Sequence, residues 1–182
     1  MASYNRWMNE RLYDAAGRLP ADELSRDRKA FFGSILGTLN HLVVADTIWL
    51  KRFATHPAQH GALDPLRAMP MPASVAEMPF ADFAKLAEHR RKLDGIIEDW
   101  TASLTEQDLQ HVLHYANMAG QWFDRDFFGL AMHFFNHQTH HRGQATTLLS
   151  QAGVDMGVTD LLAVIPQQPG EKPAAPDTAP VT

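Results

Sequence analysis

His133-Phe134-Phe135-Asn136-His137-Gln138-Thr139-His140-His141-Arg142-Gly143-Gln144 places four of the ten histidines of this chain in one helix-compatible stretch. Residues four apart on an α-helix differ by about 40° of rotation and roughly 6 Å of rise, so His133, His137 and His141 form one stripe. Two imidazoles at i and i+4 can grip one metal ion. A third ligand has to come from elsewhere in the chain, and His41, isolated among apolar helix-type residues, is the candidate. The plainer reading of the stripe is a row of core-edge histidines with satisfied hydrogen bonds. With His41 included, the pattern points to a metal site inside a helical bundle.

Working outward from this stretch, Asp126 opens its helix, which continues to about Gln151, where Gly153 supplies a stop. Upstream, Ser3 can cap a first helix from about Tyr4 to Ala16, ended by Gly17 and Pro20. Ser34 caps a second helix to about Phe53, with Ile35, Leu39, Leu42, Asp46, Trp49 and Phe53 on one side and His41 at its edge. His56 to Pro79 contains five of the eleven prolines and no sustained periodicity, which reads as a long crossover. A third helix spans about Phe80 to Ala102. Between Leu109 and Asp124 the pattern changes, and His111 to Tyr115, Asn117 to Gly120 and Gln121 to Phe123 suggest a small β-hairpin. The fold class is therefore all-α: a four-helix bundle over residues 1–165, with a long crossover between the second and third helices and a small hairpin before the fourth. The Pro/Ala-rich segment 166–182 is expected to be disordered.

Composition narrows the chemistry. At 182 residues the chain suits one domain able to bury about 70% of its unfolded surface, so a metal is not needed merely to fold it. The absence of cysteine excludes disulfides, thiolate metal sites and a cysteine nucleophile, leaving imidazole, carboxylate and water as ligands. A formal charge of −5 with interspersed signs argues against nucleic acid as partner. No apolar run approaches the roughly 20 residues that span a bilayer, and the polar N-terminus is unlike a signal peptide, so a soluble cytoplasmic protein is expected.

Other candidates carry competing readings. His133, one turn before His137, is either a fourth ligand or a pocket-lining residue, and His140, about 100° from His141, falls outside the ligand set. Asp46 reads as a general base or, more simply, as a salt-bridge partner of Arg142 or a capping group. Arg142 and Gln144 read as residues that orient others. Trp49, Tyr115 and Trp122 are either cavity walls or core aromatics, and His111 and His114 fit a solvated hairpin face. No glycine-rich phosphate loop, Gly-x-Ser-x-Gly elbow or His-Glu-x-x-His motif is present.

Three motifs together resemble the DinB-like family of helical-bundle metalloproteins: Tyr4-Asn5-Arg6-Trp7; Gly33-Ser34-Ile35-Leu36 leading to Leu39-Asn40-His41 and Asp46; and Asn136 to Gln144. The resemblance covers about residues 4 to 165. It implies His41, His137 and His141 as ligands of a divalent metal, a four-helix bundle with a long crossover, and a homodimer. Imidazole-only coordination suits zinc or nickel first, with iron and manganese also admitted. The family includes thiol-dependent S-transferases and a thiol-dependent isomerase, so the expectation is a metal-dependent transferase or detoxification enzyme acting on a small molecule with a low-molecular-weight thiol. The metal would supply the activated thiolate that a cysteine-free chain lacks. The alternatives are a non-catalytic, stress-associated metal-binding or interaction protein and a hydrolase using metal-activated water.

Overall fold

The computed structural model describes residues 1–168, so from residue 169 onward the segment expected to be disordered lies outside the described residues. The chain is mostly helical, with one antiparallel hairpin. Four long helices make the frame: α1 (Ala2–Ala16), α3 (Ile35–Phe53), α5 (Phe83–Ala102) and α7 (Phe127–Gln151), with short helices α2 (Ala21–Ser25), α4 (Asp64–Ala68) and α6 (Glu106–Leu109) in the connections. Strands β1 (Val112–Ala116) and β2 (Trp122–Asp126) pair in register from Val112 opposite Asp126 to Ala116 opposite Trp122. Among the described residues, no helix is long and apolar enough to cross a membrane.

Local chemistry sets most boundaries. The Ser34 hydroxyl accepts the Gly37 N–H at 3.0 Å and Asp126 Oδ1 accepts the Gly129 N–H at 2.6 Å, each satisfying a donor that the first turn leaves free. Thr105 and Asp108 close a reciprocal capping box on α6. Helix α1 departs from expectation: it begins at Ala2, with Met1 at the cap and no side-chain hydrogen bond, so Ser3 lies inside the helix. The crossover is more ordered than its prolines suggest. A 3₁₀ turn (Gly61–Leu63) and α4 occupy its first half, and the Lys51 ammonium ties α4 to α3 by donating to the Leu66 carbonyl at 2.8 Å.

Helix α1 packs against α5 and α7, and α3 packs against the same two, so α3 and α7 face each other along their length. Between them lie fully buried Leu12, Ile35, Leu39, Phe53, Trp100, Phe127 and Phe134, side chains whose burial stabilises by roughly 1.5–3 kcal/mol each. Phe53 stacks on Trp100 at 5.0 Å and meets Phe127 edge-on at 5.2 Å, fixing the separation of α3, α5 and α7 at one end. The other end of that interface carries the histidines.

Candidate metal centre

His41 lies on the α7-facing side of α3 and is 5% exposed; His141 is 9% exposed, and His137 is partly buried one turn before it. One ring nitrogen from each lies within 4.8 Å of the other two, so the three residues could hold a metal ion. The hydrogen bonds on the far sides of two rings decide where their protons sit. His41 Nδ1 is 2.8 Å from the Val75 carbonyl oxygen, an acceptor only, so it carries the proton and donates it. His141 Nδ1 likewise donates to Gln144 Oε1 at 2.7 Å, while the Gln144 amide nitrogen turns towards His140 Nε2 at 3.3 Å. Both Nε2 atoms therefore carry bare lone pairs, and they face each other at 3.2 Å.

Two lone pairs at that separation repel unless a cation lies between them. Two nitrogens each about 2.0–2.1 Å from one ion, at an angle near 100°, are about 3.2 Å apart, so the donor set fits a divalent transition metal. Burial pushes the pKa of all three imidazoles down, with His41 and His141 adding mutual repulsion at His137, which is pushed down to about 3. Neutral imidazole at pH 7 is the ligating form.

Phe32 walls one side, stacked on His41 at 3.8 Å and edge-on to His141 at 5.5 Å. Its position depends on two glycines. Gly33 has φ +73°, which turns the chain into α3, and a Cβ on Gly37 would overlap the Phe32 carbonyl oxygen. On the other side, His133 lies 5.9 Å from His137 and opens onto a cavity of about 660 Å³ that it lines with Trp49, Tyr115, Arg125, Asp126 and Leu130. Burial first, then the charges of Arg125 and Arg52, lower the His133 pKa. A metal-ready donor set with an aromatic wall and an adjoining cavity is a site of the kind that binds small molecules.

The sequence matches the DinB family over residues 1–173. The chain belongs to the DinB family. Protein DinB of Bacillus subtilis (strain 168) is 25% identical to it over 160 residues, 86% of this chain and 87% of that protein. The crystal structure of a DinB-like protein from Bacillus cereus ATCC 10987 resembles it in fold, with a TM-score of 0.54 at 21% identity, covering 83% of this chain and 89% of the other.

In this DinB-family chain the remaining motif residues hold the helices rather than the cavity. Arg142 donates to Asn5 Oδ1, to Gln138 Oε1 at 3.3 Å and to Thr139 Oγ1 at 3.2 Å, joining α7 to α1. The expected pairing of Asp46 with Arg142 gives way to one with Arg90, at 2.5 Å, because α5 brings that guanidinium into the same buried plane. Arg90 also pairs with Asp94 at 3.1 Å. Burial pushes Asp46 up to about 6, yet it is 1% exposed and closed off from any substrate, which removes the general-base reading. Trp49 and Tyr115 line the cavity. Trp122 is exposed and stacks on His114 at 4.5 Å, and His114 pairs with Asp124 at 2.7 Å on the open hairpin face. His111 was expected on that face too, but it packs edge-on against His56 at 4.6 Å.

A second histidine group went unnoticed in the sequence: His56, His60 and Asp108 also bring potential ligands within 4.8 Å. Its protons are arranged differently. His56 Nδ1 accepts the Ala58 N–H at 3.1 Å, which puts the ring proton on Nε2, towards the Asp108 carbonyl at 3.3 Å. Asp108 Oδ2 is held by Thr105, and His60 Nε2, 3.9 Å from that oxygen, is buried without a hydrogen-bond partner. This group ties the α3–α4 connection to α6. The spacing His56-x-x-x-His60 was visible, but Pro57 and the positive φ of Gln59 take it out of a helix.

Proposed function

We propose that this DinB-family protein is a four-helix-bundle metalloprotein in which His41, His137 and His141 bind one divalent ion, zinc or nickel foremost, to promote transfer of a low-molecular-weight thiol to an electrophile. The observation that carries this reading is the pair of unprotonated Nε2 atoms facing each other at 3.2 Å, each with its tautomer fixed from behind. A cation held there would lower the pKa of a thiol beside it and keep a thiolate available at neutral pH. The rest is the work of the chain. Phe32 covers the His41 ring and keeps water off that side. The cavity beyond His133 gives the electrophile a place to lie, and Trp49 and Tyr115 supply aromatic surface against it. Neutral His133 at the cavity wall can accept the proton that the thiol loses. With an aryl chloride as electrophile, a carbon–sulfur bond forms, the carbon–chlorine bond breaks and chloride leaves.

The test combines zinc- or nickel-loaded protein with 1-chloro-2,4-dinitrobenzene and a panel of low-molecular-weight thiols, following the thioether by absorbance. Turnover that needs both metal and thiol, and that is lost in His137→Ala, is the expected result. Turnover of ester substrates without thiol would replace this reading with hydrolysis. Stoichiometric metal with no reaction across thiol and ester panels would favour the non-catalytic role. A homodimer in the cytoplasm completes the proposal, and light scattering tests the first part of it.

A further inference from the structure

Behind the aromatic wall of the cavity beside the histidines lies an arginine that the fold leaves without a carboxylate partner among the described residues. Arg52, in the last turn of α3, is 9% exposed, its buried Nε has no hydrogen-bond partner, and no carboxylate pairs with it among the described residues. Its guanidinium lies over Trp49 at 4.7 Å and Tyr115 at 5.2 Å, the two aromatic walls of the cavity. Stacking satisfies the faces of a guanidinium and leaves its in-plane N–H donors available. Burying such a group is unfavourable, and burial lowers its pKa accordingly. Arg125, on the cavity wall, also has no carboxylate partner among the described residues and lies over Phe123 at 5.4 Å. Asp124 and Asp126 also line the cavity; Asp124 is held by exposed His114 and Asp126 caps α7 through the Gly129 N–H, and neither pairs with Arg52 or Arg125 among the described residues.

We propose that Arg52, assisted by Arg125, binds an anionic oxygen group, carboxylate or phosphate, on the small molecule that reacts at the three-histidine centre. This rests on the metal-centre reading for the position of the reacting atom, but not for the anion site itself. His133 stands between the two places, touching Trp49 at 5.0 Å on one side and lying one turn from His137 on the other. His41 lies eight residues from Trp49 and eleven from Arg52 on α3, so the ligand is an elongated acid whose anionic end and reacting atom are separated by roughly 12–16 Å. Arg52 supplies the larger part because it is desolvated, whereas exposed Arg125 acts through a screened charge.

The experiment is calorimetric titration of the full chain, metal-free and zinc-loaded, with hexanoate, hexyl phosphate and 1-hexanol. The metal-free protein is expected to bind one or both anions at least about tenfold more tightly than the alcohol. The better of the two anions distinguishes carboxylate from phosphate as the source. Arg52→Gln should abolish the preference without changing zinc content, and Arg52→Met, which keeps the stem packed on Trp49, should do the same. Arg125→Gln should weaken it about threefold, an effect that vanishes in high salt. Equal binding of anions and alcohol by the parent, or no binding of any probe, overturns the proposal, as does a preference that survives in a folded Arg52 variant. Failure of the metal reading looks different: zinc is not retained while the anion preference in metal-free protein persists.

Discussion

Gln144→Leu removes no candidate ligand, yet it should weaken metal binding. Gln144 Oε1 takes the proton of His141 Nδ1 at 2.7 Å and thereby fixes the tautomer that leaves Nε2 bare. Leucine fills similar space and cannot accept that proton, so the ring is free to take the other tautomer or to rotate. Loss of such an orienting partner lowers metal affinity by about 10–100-fold, or about 1.4–2.8 kcal/mol. The fold should be spared, because the Gln144 side chain is partly exposed and its other contact is to exposed His140. The assay is competition for zinc against a chromophoric chelator at pH 7, with thermal unfolding of the metal-free protein alongside. Gln144→Glu, which accepts the same proton with a full charge, should bind at least as tightly as the parent. Unchanged affinity in a folded Gln144→Leu variant would refute the reasoning that the hydrogen bond behind the ring prepares this nitrogen.

Asp46→Ala leaves the Arg90 guanidinium buried without its 2.5 Å partner and should destabilise by about 3–5 kcal/mol in urea unfolding; a loss below about 1 kcal/mol would mean the buried plane is not a coupled ion network. Gly37→Ala forces the Phe32 carbonyl away from α3, so the stacked Phe32 ring should leave His41, seen as lowered thermal stability and as a change in His41 NMR shifts; neither should occur if the contact is loose. Six histidines, His41, His56, His89, His133, His137 and His141, have pKa values lowered chiefly by burial, while in the unfolded chain each titrates near 6.5. The unfolded state therefore takes up protons first on acidification, and stability of the metal-free protein should be full above about pH 6.5 and fall below it, by up to about 1.4 kcal/mol per pH unit per histidine. Asp46, raised from 3.8 to about 6, and Asp94, also raised by burial, act in the opposite direction over that lower range, as two groups against six. Urea midpoints at pH 7, 6 and 5 check the sign; a flat or rising profile on acidification contradicts it.

The helical frame was legible because Ser34 and Asp126 are capping residues in front of apolar periodicity, and because the asparagine–glycine hairpin signal is local. The i,i+4 spacing put His133, His137 and His141 on one stripe with His41 alone on another helix, and the choice of His41, His137 and His141 came with the family resemblance; the fold brings one ring nitrogen of each of those three within 4.8 Å of the others. What escaped depends on three-dimensional placement. Arg90 lies 44 residues from Asp46, and no pattern announces that α5 carries it into the same plane. Nothing in the local sequence singles out Arg52, because Tyr115, which it lies over at 5.2 Å, is brought there by the hairpin. His56 and His60 share a spacing with the metal-type pair, but their backbone is not helical, and their proton arrangement comes from a turn amide and a backbone carbonyl that a sequence does not show.

The most direct test is metal content by mass spectrometry on tag-free protein purified without added metal, comparing the parent with His41→Ala, His137→Ala, His141→Ala and His60→Ala. The predicted result is near-stoichiometric metal in the parent and in His60→Ala, and loss from each of the other three while they remain folded. A parent that stays empty after incubation with zinc, nickel, manganese and iron would contradict the account, as would metal retained in the three variants and lost from His60→Ala.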